Sequence, residues 1–167
     1  MNIKDILDKV IPPNNVAGRY KDFNNTHIID SLKDEERLLL EEALIEKLHT
    51  DNDLLIVQTL HYLKSVKSLP AIYSYLNRDS NPVIKIYVAA IIFEMNKDTD
   101  MIRVALEGFS ALEANKDAYF KYTVINVFQN LEKFKNQEIN DRIEKYTADK
   151  DFLVSYWAKK AIKNRLI

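Results

Sequence analysis

The sequence predicts an all-α protein, built as a solenoid of three to four antiparallel helical hairpins. A helix-length segment recurs four times, at intervals of 29, 36 and 34 residues. Self-similarity at this period is typical of solenoids, because one hairpin cannot bury its apolar face alone. Gly occurs twice and Pro four times, and no alternating strand pattern persists between turn residues. The copies begin at Asp53, Pro82, Ala118 and Phe152, and their equivalent positions are Leu55, Ile84, Phe120 and Val154.

Residues 1–26 are predicted to form an N-terminal arm, ahead of a repeat domain that spans residues 27–167. The arm begins with a short helix whose apolar residues recur at helical spacing. A polar stretch follows, in which Pro12, Pro13 and Gly18 interrupt regular structure. Pro and Gly then become rare, so the rest of the chain is predicted to be helical. The apolar residues of the arm helix are Ile3, Ile6, Leu7 and Val10.

Eight helices are predicted in the repeat domain, separated by short polar connections. Asn81 and Pro82 mark one start, since Asn accepts from free backbone N–H groups and Pro suits a first helical turn. Asp51, Asp98 and Asp149 stand near other starts. Because the connections are short, neighbouring helices are predicted to be antiparallel. The predicted helices span residues 33–49, 53–67, 69–77, 82–96, 99–112, 117–134, 137–147 and 151–166.

The second helix of each hairpin is predicted to bury one apolar face in the core. Apolar residues recur there at intervals of three and four, as one face of an α-helix requires. The four sets are Leu55, Thr59, Tyr62 and Leu63; Ile84, Val88, Ile91 and Ile92; Phe120, Val124, Val127 and Phe128; and Val154, Ala158, Ala161 and Ile162.

Two copies of the recurring segment share a further pattern. The residues are Asp79, Pro82, Ile84, Lys85, Val88, Ala89, Ile91 and Ile92 in one copy, and Val154, Trp157, Ala158, Ala161 and Ile162 in the last. This pattern resembles the second helix of HEAT repeats, Asp-x-x-Pro-x-Val-Arg-x-x-Ala-Ala-x-Ala-Leu, over residues 33–167. The resemblance implies a right-handed superhelix whose second helices line a concave, partner-binding surface. The usual Arg is replaced in the four copies by Ile56, Lys85, Lys121 and Ser155.

The composition is that of a soluble globular domain. Apolar residues make up 47% and charged residues 29%, and no window approaches the roughly 18 consecutive apolar residues of a membrane span. The net charge of −1 gives no general field that would attract nucleic acid or anionic lipid. The absence of Cys excludes disulfides and thiolate chemistry. The first residues lack the uninterrupted apolar stretch of a secretory signal. We therefore expect a cytoplasmic protein that binds neither nucleic acid nor membranes.

The sequence contains no recognisable catalytic or metal-binding motif. His27, His49 and His61 do not form the i, i+4 pair with which a helix binds zinc. His49 with Asp51 and Asp53 could hold a cation, although a helix end followed by a polar cap accounts for the same residues. No glycine-rich phosphate loop or serine nucleophile elbow is present. We therefore predict a non-catalytic protein without a cofactor or metal ion.

The surface opposite the core face of the second helices is predicted to bind a partner. At 100° per residue, Ile86, Ala90 and Phe93 lie opposite the predicted core residues of their helix. The same register in later copies adds aromatic, amide and cationic side chains, the composition of an interface hot spot. Two alternatives are burial of the central helices on all sides, and coverage by Tyr20 and Phe23 of the arm. The predicted partner-binding residues are Ile86, Phe93, Tyr122, Asn126, Tyr156, Trp157 and Lys160.

Charge is distributed unevenly along the chain. Residues 33–53 contain eight acidic and three basic side chains, whereas residues 145–167 contain six basic and two acidic ones. Opposite charges of this kind can orient a partner. Polar end repeats are also what a solenoid needs for solubility, so both interpretations stay open.

These observations favour a module that binds another protein through a rigid, preformed surface. One alternative is an immunity-type protein that neutralises a toxin partner, by analogy of size and architecture. A second is a HEAT-like DNA-binding or DNA glycosylase-type protein, which the near-neutral charge disfavours. A third is a subunit or scaffold of a larger assembly. A monomer is the favoured oligomeric state.

Overall fold

A computed structural model describes residues 2–13 and 23–163, and every regular element in these ranges is helical. The predicted all-α class is confirmed, and the predicted helices are found with ends shifted by a few residues, except that the predicted end at residue 166 lies outside the described residues. None of the described helices has the length and apolarity to cross a membrane. The helices are α1 (Ile3–Val10), α2 (Thr26–Ser31), α3 (Asp34–Leu48), α4 (Leu54–Tyr62), α5 (Leu69–Arg78), α6 (Pro82–Asn96), α7 (Asp100–Ala114), α8 (Phe120–Leu131), α9 (Gln137–Glu144) and α10 (Phe152–Lys163), with 3-10 turns at Val66–Ser68 and Glu132–Phe134.

The chain divides into two compact units, unit 1 (Met1–Arg78) and unit 2 (Asp79–Ile167). Unit 1 contains α1 to α5, and unit 2 contains α6 to α10. The boundary predicted from the sequence, between residues 26 and 27, falls inside unit 1. Residues 14–22, which include Gly18 and Tyr20 of the predicted arm, lie outside the described residues.

Helix α1 belongs to the core of unit 1. It packs against α3 and α2, and its side chains Ile6 and Val10 are fully buried. Asn25, the N-cap of α2, is also buried, and its side-chain amide donates to Val10 O (2.9 Å) and to Thr59 Oγ1 (2.8 Å). Since this amide bridges α1 and α4, the described part of the predicted arm is an integral layer of unit 1.

The end of α3 is capped by Arg78 of α5. The guanidinium donates to Leu48 O (2.6 Å) and to His49 O (2.8 Å). Carbonyls at this end have no partner within their own helix, and a cation is favourable there. Asp53 then accepts from Leu55 N (3.0 Å) and caps the start of α4. The stretch from His49 to Asp53 is therefore a helix boundary, as the cap interpretation predicted.

Unit 2 is built on the close packing of α6 against α7. A Cβ added to Gly108 of α7 would lie 2.9 Å from Ile86 Cγ1 and 3.1 Å from Pro82 O of α6. Only glycine therefore permits this approach without displacing a neighbour. Helix α8 packs on α6 and on α10, and α9 packs on α10. Helix α6 is thus covered by two neighbours.

Aromatic rings fill the core of unit 2. The rings of Phe109, Phe128 and Tyr146 lie with centroids 5.4 to 6.3 Å apart, a range in which ring pairs stabilise one another.

The prediction that Tyr62 of unit 1 is a core residue is wrong. Its side chain is exposed, and its hydroxyl donates to the exposed Asp30 carboxylate at 2.9 Å. Core predictions that are confirmed as buried include Thr59, Val88, Ile91, Ile92, Val124, Val127, Phe128, Val154, Ala158 and Ala161.

Lysine, rather than glycine, ends several of the described helices. Lys64, Lys97 and Lys135 adopt left-handed backbone conformations, with φ of 56°, 61° and 48°. Glycine is usual at such positions, because other residues are strained there by roughly 1 to 2 kcal/mol. The Lys97 N–H donates to Phe93 O (2.9 Å) and closes α6. A chain with two glycines can therefore still end its helices sharply.

Candidate functional site

Ile86 cannot take part in a surface site. Its side chain is 0% exposed, and it packs against Gly108 of α7. Ala90 on the same helix is also fully buried. The prediction that these two residues meet solvent or a ligand is therefore wrong, and its physical reason is the packing of α6 against both α7 and α8.

Phe93 is half-buried by its own unit. Its ring centroid lies 5.0 Å from that of Phe134. Lys97 Nζ lies 5.5 Å from the same ring, within the range of a cation–π contact. Phe93 is thus mainly a packing residue, with little free ring surface for a partner.

Two predicted residues of α8, Tyr122 and Asn126, are exposed. Lys121 Nζ lies 4.9 Å from the centre of the Tyr122 ring and 3.3 Å from Asp151 Oδ2. Since Asp151 directly precedes α10, this ion pair joins the start of α8 to the start of α10. Tyr119 is also exposed here and was not predicted.

The remaining predicted residues, Tyr156, Trp157 and Lys160, lie together on α10. Lys160 Nζ is 4.3 Å from the Trp157 ring, and Tyr156 is T-shaped to Trp157 with centroids 5.7 Å apart. On its other side Tyr156 stacks with Phe152 at 6.1 Å. Phe152, at 76% exposed, and Leu153 are members that the sequence prediction missed. We call Phe152, Leu153, Tyr156, Trp157 and Lys160 the α10 surface.

Asp151 fixes the N-terminal end of α10. Its Oδ1 accepts from Leu153 N (2.9 Å) and Val154 N (3.3 Å). The hydrogen bond from Val154 N, followed by that from Lys121, holds the pKa of the Asp151 carboxyl below its ordinary value. The hydrogen bond to Asp151 in turn raises the pKa of Lys121. Both groups are therefore stabilised in their charged forms.

Asp151→Asn should make the stability of unit 2 less sensitive to acid. Because the folded pKa is lowered, the carboxylate contributes stability above its unfolded pKa of 3.8, and this contribution is lost as the pH falls through the folded pKa. At about pH 7 the urea midpoint of the wild-type protein should therefore be higher than that of the variant. The two midpoints should become equal by about pH 2. The midpoint can be followed by fluorescence of Trp157, the only tryptophan.

Lys121→Gln is the control for this pH dependence. It removes the ion pair but keeps the hydrogen bond from Val154 N, so part of the acid sensitivity should remain. If the urea midpoint depended on pH in the same way in the wild-type protein and in Asp151→Asn, this carboxylate would not stabilise unit 2.

A second polar cluster in unit 2 joins α7 to α9 and to Tyr146. Glu113 of α7 accepts from Tyr146 Oη (2.7 Å) and from Arg142 Nη2 of α9. Arg142 Nη1 also donates to Ser110 Oγ (2.8 Å). Burial, and then the hydrogen bond to Glu113, raise the pKa of Tyr146 far above its ordinary value. The hydroxyl therefore stays protonated as a donor, and the cluster fastens α9 and Tyr146 to α7.

In the described part of the chain, no group of three or more His, Asp or Glu side chains is placed to hold a metal ion. His49 ends α3 and Asp53 caps α4. Asp51 pairs with Lys47 at 2.9 Å. His49, Asp51 and Asp53 therefore lie at the boundary between α3 and α4.

The α10 surface is the candidate functional site. It combines exposed rings with a cation, and its rings contact one another. Comparisons with protein-family models, with curated proteins and with solved structures found no match.

Proposed function

We propose that the protein is a non-catalytic module that binds another protein through the α10 surface. The observation that carries this proposal is the exposure of Phe152 (76%) and Tyr156 (51%) beside Leu153 on one helix. Keeping adjacent large apolar side chains in water is unfavourable, and contiguous patches of this kind are typical of interaction sites. Binding of a partner would remove this surface from water.

The rings of the α10 surface contact one another in the absence of a partner. Tyr156 lies between Phe152 and Trp157, and Trp157 in turn contacts the Lys160 ammonium group. Ordering flexible side chains at an interface costs about 0.5 to 1.5 kcal/mol each. A preformed stack reduces this cost, which supports Phe152 and Tyr156 as the anchors.

The charge around the α10 surface indicates the chemistry of the partner. Lys159, Lys160 and Lys163 are exposed on the same helix. The nearby carboxylate Asp151 is already paired with Lys121. A protein surface with apolar side chains at its centre and carboxylates around them is therefore the best match.

The repeat architecture is also part of this proposal. We infer that α6, α8 and α10 are the second helices of successive HEAT-like repeats in a right-handed solenoid. Their equivalent positions Ile84, Phe120 and Val154 recur at similar intervals, and α8 packs on both α6 and α10. Both features support the inference, since each repeat of a solenoid contacts the next one.

Site-specific photo-crosslinking tests the proposed surface. With a benzophenone amino acid at position 156, we expect discrete crosslinked proteins from cells that express the chain. A benzophenone at position 103, exposed on α7, is the matched control and should give none of them. Phe152→Ala should reduce capture at position 156 about tenfold, as loss of one anchor does. Equal capture at both positions would contradict the proposal.

The alternatives give other results in the same system. Tight binding of labelled duplex DNA by the wild-type protein, weakening steeply with salt, would favour a DNA-binding protein. A captured protein whose toxic activity is lost on mixing would identify the immunity-type function. Capture of a partner without such activity would support a general binding module.

A further inference from the structure

Helix α3 of unit 1 carries two adjacent leucines whose side chains are exposed rather than packed in the core. Leu38 is 54% and Leu39 52% exposed, while the opposite face of α3 is buried through Leu40, Leu44 and Leu48. The exposed leucines are surrounded by carboxylates at helical spacing. We call these exposed residues the α3 surface, which consists of Asp34, Glu35, Leu38, Leu39, Glu42 and Glu46.

The apolar centre of the α3 surface extends into a cleft. A cavity of about 650 Å³ lies beside Leu38, and Tyr62 of α4 lines its other side. Carboxylates outnumber cations along the cleft: Asp30, Asp34 and Glu41 face Arg37 and Lys64. The Tyr62 hydroxyl donates its one proton to the Asp30 carboxylate, whose two oxygens both lie 2.9 Å from Oη. The whole region is thus apolar at its centre and predominantly acidic at its edge.

The α3 surface is apolar at its centre with carboxylates around it, as we proposed for a partner of the α10 surface. The α10 surface presents rings at its centre and exposed lysines, Lys159, Lys160 and Lys163, at its edge. We propose that the α3 surface of one molecule binds the α10 surface of a second copy of this chain. The proposal rests on the proposed function, since it names a partner for the same site.

The two surfaces are different, so the contact is heterologous. When one molecule places its α10 surface on a neighbour, its own α3 surface can bind a third molecule or close a ring. The average mass of the wild-type chain should therefore rise with protein concentration. Because lysines face carboxylates at a solvated edge, salt should weaken the contact.

Sedimentation velocity measures this self-association. For the wild-type chain we expect the average mass to rise above the monomer mass of 19.5 kDa between about 20 and 500 μM protein. The rise should be smaller at about 500 mM than at about 50 mM NaCl. Arg103→Ala with Glu107→Ala, an exposed pair on α7, is the matched control and should associate like the wild-type protein.

Two double variants identify the surfaces involved. Leu38→Gln with Leu39→Gln disables the α3 surface, and Phe152→Ala with Tyr156→Ala disables the α10 surface. All four side chains are largely exposed, so the fold should be retained. Each variant alone should stay monomeric. An equimolar mixture should form a dimer and nothing larger, because only one intact pair of complementary surfaces remains.

Three results would overturn the proposal. They are a wild-type chain that stays monomeric at the highest concentration and lowest salt, a mixture of the two variants that stays monomeric, and self-association that survives in either variant alone. A monomeric chain that still gives specific crosslinks at position 156 would leave the proposed function standing. If the chain showed neither self-association nor specific crosslinks at position 156, both proposals would be wrong.

Discussion

Replacing Ile86 with alanine should lower the free energy of unfolding of unit 2 by about 3 kcal/mol. Ile86 is fully buried and faces Gly108 of α7, so the truncation opens a cavity between the two helices. Urea unfolding followed by Trp157 fluorescence measures the loss, because the only tryptophan lies in unit 2. Partner capture by the folded variant should be unchanged, since Ile86 does not reach the surface.

Gly108→Ala should be coupled to Ile86→Ala. Alone, it gains up to about 1 kcal/mol of helix propensity, but its Cβ would lie 2.9 Å from Ile86 Cγ1 and should cause a net loss of about 1 kcal/mol. When residue 86 is alanine, the new methyl group instead fills part of the cavity. The double variant should therefore be more stable than additivity predicts, by at least about 1 kcal/mol.

Ala111→Gly provides the control for this coupling. Ala111 is exposed on the same helix as Gly108, so the substitution should cost about 1 kcal/mol through helix propensity alone. Its effect should add to that of Ile86→Ala, because Ala111 is exposed whereas Ile86 is fully buried. An additive result for Gly108→Ala as well would show that α6 and α7 do not meet at this glycine.

The positions of most helices could be predicted because they depend on neighbouring residues. The start of α6 at Pro82 follows from the Asn81 side chain, which accepts from Val83 N (2.9 Å) two residues ahead. Helix α2 was missed because its six residues are too few for a helical period to be recognised. The packing of α1 was also missed, because it depends on residues far apart in the sequence. Asn25, which binds Val10 of α1, also binds Thr59, 34 residues away.

The exposure of individual side chains was harder to predict. A helical period identifies one buried face, and that reasoning placed Ile86 on the opposite, open side of α6. Helix α6 in fact packs on both α7 and α8, so both faces are buried. Which helices acquire a second neighbour depends on tertiary contacts, and periodicity within one helix does not contain that information.

The α10 surface could be predicted in part. The repeat register correctly placed Tyr156 and Lys160 on an exposed face. Phe152 precedes Tyr156 by four residues, so the same helical spacing applied within α10 would have added it. The Glu113 cluster could not be found in this way, because its hydrogen bonds join residues 29 and 33 positions apart.

Glu113→Ala should destabilise unit 2 by about 2 to 3 kcal/mol. The substitution removes the acceptor of the buried Tyr146 hydroxyl and the counter-ion of the partly buried Arg142 guanidinium. The Tyr146 hydroxyl would then lose its acceptor, and the Arg142 guanidinium would keep only neutral hydrogen-bond partners, such as Ser110 Oγ. Tyr146→Phe should cost only about 1 kcal/mol, because it removes one hydrogen bond and leaves the ion pair intact. Urea unfolding followed by Trp157 fluorescence again gives both values.

Glu107→Ala is the matched control on the same helix. Glu107 pairs with Arg103 at 3.4 Å, and both side chains are largely exposed, so its loss should change stability by no more than about 0.5 kcal/mol. Glu113→Leu combined with Arg142→Met removes both charges and should recover part of the Glu113→Ala loss, because the cost comes from an unpaired charge rather than from a missing attraction. If Glu113→Ala were as mild as Glu107→Ala, the cluster would contribute no more than a solvated ion pair.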